Sequence, residues 1–123
     1  LLKGQLGSGK TTFVKELLSY KYKFYDVNSP TFGIINTYNI KENLIFHYDL
    51  YRINKLSELD EIGFHDNLET EAVHFIEWPE IIPLKLINAN FIISFETIDQ
   101  YRLVSIDDID AKSLYSSWAY CLW

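Results

Sequence analysis

Gly4-Gln5-Leu6-Gly7-Ser8-Gly9-Lys10-Thr11 is the stretch whose reading decides the fold. It matches G-x-x-x-x-G-K-[ST], a loop that holds a phosphate chain with its backbone N–H groups. Gly4, Gly7 and Gly9 permit a tight turn and a close backbone approach that side chains would hinder. Lys10 can set a cation against the β- and γ-phosphates, and the Thr11 hydroxyl can bind Mg²⁺. Directly after it, Thr12-Phe13-Val14-Lys15-Glu16-Leu17-Leu18 places Phe13, Val14, Leu17 and Leu18 on one helical face. A helix beginning there points its positive end at the phosphates. The competing reading is a glycine-rich surface turn. Only Leu1-Leu2-Lys3 stands before the loop to supply the strand that normally feeds it, and the chain has no Met. The expectation is a fragment lacking its natural N-terminus.

Composition bounds the function. At 123 residues a single domain, 1–123, is expected, with a core of useful size. Apolar residues at 48% and aromatics at 16% argue against disorder. A net charge of −6 disfavours a general electrostatic grip on nucleic acid. DNA is not an expected partner, and contact with RNA would be local or made through another protein. The single Cys121 excludes an internal disulfide, and no Cys and His cluster is available for a metal. No apolar run reaches transmembrane length and no signal peptide is visible, so a cytoplasmic protein without a membrane partner is expected.

Further along, Tyr20-Lys21-Tyr22-Lys23-Phe24-Tyr25 alternates basic and aromatic residues. It reads as a solvated helix end or a short strand, with a small nucleic-acid patch as the alternative. Ser29-Pro30-Thr31-Phe32-Gly33 is a turn-rich loop, the first candidate for a switch that senses the γ-phosphate. Ile34–Ile40 and Leu44–Leu50 read as two strands of a hairpin. His47 and Asp49 then share one face at the second strand's C-terminal end, where parallel sheets bind ligands. An exposed edge explains that pair equally well. Ser57–Gly63 reads as a short helix with Ser57 as its N-cap, and Asp66–Glu71 as another helical turn. Ala72–Glu77 is a strand stopped by Trp78-Pro79, and an acidic residue closing a hydrophobic strand is the Walker B arrangement. Phe91–Phe95 and Tyr101–Ile106 read as two more strands. A closing helix is expected over Asp110–Tyr120, with Leu114, Trp118 and Cys121 as a stripe for core packing or a partner.

The loop, the Ser-Pro-Thr-Phe segment, the His-x-Asp-x-Tyr-Arg strand end and the Glu-Trp-Pro strand end together resemble the bacterial TsaE (YjeE) family. The resemblance runs from Leu1 to about Ile106. It implies an α/β fold of the P-loop NTPase type, with a mixed, mainly parallel sheet flanked by helices. It also implies an Mg²⁺-dependent ATPase needed for threonylcarbamoyladenosine in tRNA, at the adenosine next to the anticodon. The partners implied are TsaB and TsaD, with tRNA met indirectly through that complex. Carried over by position, Gly7, Ser8, Gly9, Lys10, Thr11 and Thr12 would cradle the phosphates of ATP. Thr31 would sit near the γ-phosphate, and Asp49 would approach the metal bound by Thr11. Glu77 would be the Walker B carboxylate, and Trp78 would pack beside the nucleotide.

Gln5 departs from the acidic residue usual in that family, which bears on metal or partner contacts more than on phosphate binding. No obvious arginine finger is visible, Arg52 being only a candidate, and a missing cationic element predicts slow turnover until a partner completes the site. Two other functions fit the same residues: an ATP-gated binding module with negligible hydrolysis, and a small-molecule P-loop kinase.

Overall fold

A computed structural model of the chain describes residues 1–109 and 117–122. Leu2 and Lys3, with the first residue of the glycine loop, form a strand, β1 (Leu2–Gly4), paired on both sides. The loop then runs into α1 (Lys10–Tyr22). A hairpin follows, β2 (Ile35–Ile40) and β3 (Asn43–Asp49), then two five-residue helices, α2 (Ser57–Glu61) and α3 (Phe64–Leu68). β4 (Val73–Glu77) precedes two short 3-10 turns, and β5 (Phe91–Ile98), β6 (Tyr101–Asp108) and β7 (Ser117–Leu122) complete the sheet. Strand order is β2-β3-β4-β1-β5-β6-β7. The centre is parallel, β3 with β4, β4 with β1 and β1 with β5, while the hairpin partners on either side are antiparallel. This is the α/β P-loop arrangement expected: a mixed sheet with a parallel centre, flanked by helices.

Period-two alternation assigns the two faces. Ile45 on β3, Leu2 on β1, Phe95 on β5 and Val104 on β6 pack with Val14 and Leu18 of α1. Phe46, Tyr48 and Ile76 point the other way and pack with Leu59 of α2 and Phe64 of α3. Helices of five residues have no stability of their own. Burial holds these two, and the Phe64 ring meets Tyr48 edge-on with centroids 5.0 Å apart. Each large side chain so buried contributes roughly 1.5–3 kcal/mol relative to exposure. α1 stops where Lys23 turns left-handed, with the Lys23 N–H donating to the Ser19 carbonyl and the Phe24 N–H to the Leu18 carbonyl. The basic-aromatic run is thus the last turn of a helix and the loop that leaves it.

Three expectations need correction. Ser57 is the first residue of α2 rather than its cap. The turn before α2 is closed instead by Glu58, whose carboxylate accepts the Asn54 and Lys55 N–H groups at 3.2 and 2.9 Å. β3 lies between β2 and β4, so His47 and Asp49 are not on an exposed edge: they are 0% and 8% exposed. The expected closing helix is a strand over 117–120, paired with β6, and its earlier part, 110–116 with Leu114, lies outside the described residues. Trp118 opposes Ile106 and Cys121 opposes Leu103 in the pairing with β6, so the backbone there is not helical. Aromatic residues favour strands, and the helical spacing of three residues was coincidental. Among the described residues no helix is long and apolar enough to cross a membrane.

Candidate functional site

Backbone geometry prepares the loop. Gly4, Gly7 and Gly9 have φ of 153°, 73° and 108°, values that L-residues rarely adopt. At Gly4 a Cβ would stand 2.6 Å from Ser8 Oγ and 2.7 Å from the Phe95 carbonyl oxygen, so the strand passes there without room for a side chain. Gly9 begins α1 with no side-chain cap, and no acidic residue occupies the first turn. Phe13 N–H donates to the Gly9 carbonyl at 2.9 Å, while the amides of Lys10, Thr11 and Thr12 precede the first intrahelical acceptor. These donors, at the positive end of a thirteen-residue helix, form an anion cradle.

Lys10 is 4% exposed. Its Nζ donates to the Gly4 and Gln5 carbonyls at 2.7 and 2.9 Å and lies 4.2 Å from the Trp78 ring centroid. Burial pulls its ammonium below the ordinary pKa, and the nearby Glu77, Asp49 and Glu80 carboxylates oppose that shift. A buried cation held by carbonyls and an aromatic face suits transfer to a polyphosphate, which offers full negative charges in their place.

The acidic side of the site comes from strand register. Asp49 and Glu77 are direct partners across the parallel pair β3–β4, so both carboxylates emerge at the same sheet end on the α1 face. Thr11 Oγ1 donates to Glu77 Oε1 at 2.7 Å, and His47 Nε2 meets the same oxygen at 2.7 Å. Asp49 Oδ1 accepts Tyr51 N–H at 3.1 Å, and the Asp49 N–H donates to the Ile34 carbonyl at 2.8 Å. Ile34 itself has φ 65°, an uncommon value for a β-branched residue, and closes the turn that carries Thr31. Thr31 Oγ1 is hydrogen-bonded to Ser29 Oγ. Trp78 also has a positive φ, 55°, and its ring lies 4.8 Å from that of Tyr51. A left-handed non-glycine residue at Trp78, which lines the cleft, is the kind of local cost found at functional sites.

One cavity of about 490 Å³ is lined by all of these groups: Gly7, Ser8, Gly9, Lys10, Thr11 and Thr12 from the loop and α1, together with Thr31, Asp49, Glu77 and Trp78. A larger concavity, about 730 Å³, lies on the far side of Gln5 and Trp78, lined by Lys3, Glu80, Ser94 and Glu96 among others. It has none of the cradle residues 7–12, so volume is a poorer guide here than convergent chemistry.

One arginine that the sequence did not single out lines the smaller cavity beside Arg52, the candidate arginine finger. Arg102 enters from β6, and its Nη1 lies 3.3 Å from where a Cβ on Gly9 would be. No pattern near residue 102 marks it, because the β5–β6 hairpin alone brings it there. Arg52 lines the cavity as well, with its guanidinium 4.9 Å from the centroid of the Phe32 ring.

For Mg²⁺ the donor chemistry fits. Thr11, Glu77 and Asp49 offer hard oxygen atoms, and Mg²⁺ is commonly held by one or two carboxylates plus substrate phosphates and water. That mode needs no protein cage, and among the described residues no group of three or more His, Cys, Asp and Glu forms one.

The family model described as "Threonylcarbamoyl adenosine biosynthesis protein TsaE" matches residues 1–104. The chain is 39% identical over 108 residues to the tRNA threonylcarbamoyladenosine biosynthesis protein TsaE of Rickettsia conorii, covering 86% of this chain and 61% of that protein. It is 33% identical over 105 residues to the protein of the same name from Haemophilus influenzae, covering 85% and 66%. The crystal structure of Bacillus subtilis YdiB superposes with a TM-score of 0.55 at 28% identity, over 82% of this chain and 61% of that one. The chain therefore spans less than two thirds of the length of these relatives.

Proposed function

The chain belongs to the TsaE family, and from that membership and the geometry of the cleft we infer that it is the ATP-binding domain of an Mg²⁺-dependent ATPase. Its turnover serves threonylcarbamoyladenosine formation on tRNA, at the adenosine next to the anticodon, in a cytoplasmic complex with TsaB and TsaD. The observation that carries this reading is the convergence of the glycine loop, Lys10, Thr11, Asp49 and Glu77 on one cavity, with Thr11 and Glu77 already in contact.

The residues divide the work by their chemistry. The loop and α1 amides bind and orient the phosphates. Lys10 exchanges its carbonyl partners for β- and γ-phosphate oxygens and stabilises the charge that develops in transfer. Thr11 and Glu77, with Asp49 beside them, would hold Mg²⁺, which would supply charge neutralisation to the phosphates. Glu77, or Asp49, accepts a hydrogen bond from the attacking water and aligns it. Thr31 and Trp78 line the same cavity, where Thr31 would face the γ-phosphate and Trp78 would wall the nucleotide.

A second reading, an ATP-gated assembly module, draws on the same cavity, and hydrolysis separates the two. The test is ATP binding and hydrolysis by the full-length protein with Mg²⁺, alone and with TsaB and TsaD. Slow turnover that the partners accelerate supports the ATPase. Tight binding with no turnover in any mixture supports the module.

A further inference from the structure

His47 is the one polar residue in the interior of the α1-facing side of β3, between Ile45 and Asp49 in the alternation. It is 0% exposed, and Ile45 beside it is equally buried. A position that only fills space would favour an aliphatic side chain here, since a buried imidazole must satisfy two ring nitrogens. Only one is satisfied. Nε2 lies 2.7 Å from Glu77 Oε1, and Nδ1 is buried with no hydrogen-bond partner. A carboxylate can only accept, so Nε2 carries the proton and donates it, and the bare Nδ1 lone pair is the atom left alone. An unpaired polar atom is retained in a core when its other contact is needed.

That contact falls on the same oxygen that accepts the Thr11 hydroxyl. The register explains why it is possible. His47 opposes Phe75 and Asp49 opposes Glu77, so His47 is the diagonal neighbour of Glu77 on one face of the parallel pair. With two donors converging on Oε1, rotation of the carboxylate is removed, and Glu77 offers the cavity a single orientation.

We propose that His47 is a positioning residue: its Nε2–H locks the Glu77 carboxylate in the orientation that serves Thr11 and the divalent cation. The proposal rests on the nucleotide-binding reading above and adds to it a residue that touches neither nucleotide nor metal. Its signature is selective. Loss of the donor weakens the part of nucleotide affinity that depends on Mg²⁺ and spares the part supplied by the loop amides and Lys10.

The experiment measures affinity of the full-length protein for a fluorescent N-methylanthraniloyl-ADP, in excess Mg²⁺ and in EDTA. His47→Leu removes the donor at similar bulk, and His47→Gln retains an N–H of comparable reach. The expected result is a Mg²⁺-dependent gain in affinity for wild type that shrinks by about tenfold in His47→Leu, the scale of one hydrogen bond to a charged group. Affinity in EDTA is unchanged, and His47→Gln recovers the gain to within about threefold. A His47→Leu protein with the full Mg²⁺ gain overturns the proposal while leaving the nucleotide-binding reading intact. A wild-type protein that binds no nucleotide overturns both. Should His47→Leu not fold, long-range ¹H–¹⁵N spectra of the wild-type histidines decide. A ring protonated at Nε2, whose signals move on addition of Mg²⁺ and ADP, supports the lock, and a ring protonated at Nδ1 refutes it.

Discussion

Glu77→Gln separates the charge of the carboxylate that meets Thr11 and His47 from its shape. The amide carbonyl can occupy the place of Oε1 and still accept the Thr11 and His47 donors, both now at 2.7 Å. Folding and the cradle should survive. What disappears is charge. Hydrogen bonds to an ionised acceptor are about twice as strong as neutral ones, so two of them weakened by roughly 1 kcal/mol each loosen the grip on Thr11 and His47. Lys10 also loses the leading carboxylate that props up its pKa against burial. An amide cannot take a proton from water, and a positioned general base contributes about 10²- to 10⁴-fold. The assay pairs single-turnover ATP hydrolysis with equilibrium binding of a fluorescent ATP analogue, in the presence of TsaB and TsaD. Hydrolysis should fall by about 10²-fold or more, while affinity in EDTA stays within about threefold of wild type. Threonylcarbamoyladenosine formation should fail with it. Hydrolysis within about threefold of wild type would refute the role of Glu77, and tRNA modification that persists without hydrolysis would favour the gating module.

Phe64→Ala should cost about 3–5 kcal/mol by urea unfolding, because the ring is fully buried against Tyr48 and α3 is too short to persist without it. Phe32→Ala, at a ring 89% exposed, should stay within about 0.5 kcal/mol, and equal costs would contradict the assignment of faces. Burial depresses the His74 pKa below its ordinary 6.5, opposed by the Thr70 carbonyl. Between that depressed value and 6.5 the unfolded chain holds a proton that the folded chain does not, so stability is lost as pH falls through this window. His74→Phe keeps the ring stacked on Phe46 and should flatten that loss in urea titrations at pH 7.5 and 5, whereas identical pH slopes would refute the assignment.

What could be read before the fold was known follows from how locally each feature is encoded. The glycine loop and the strand ending in Glu77 are runs of consecutive residues, and the structure has the loop between β1 and α1 and ends β4 at Glu77, as their patterns implied. Face assignment along β3 also followed from alternation. Its exposure did not, because nothing within Leu44–Leu50 says that β4 and α1 cover His47. Arg102 belongs to the same class: a hairpin from the far half of the sheet carries it to Gly9. The Ser57 cap failed because Glu58 competes for the same backbone amides. β7 was misread because Leu114, Trp118 and Cys121 fit a helical period by spacing, and only pairing with β6 sets the local structure.

Lys10→Ala addresses the central claim, that this cleft holds the phosphates of ATP. Titrating full-length wild type and variant with fluorescent ATP in Mg²⁺, and following phosphate release in the same samples, measures both binding and turnover. The account predicts about 10- to 100-fold weaker binding and no partner-stimulated release in the variant, the loss expected for a buried ammonium that contacts phosphate oxygens. Equal affinity in the two proteins would contradict it.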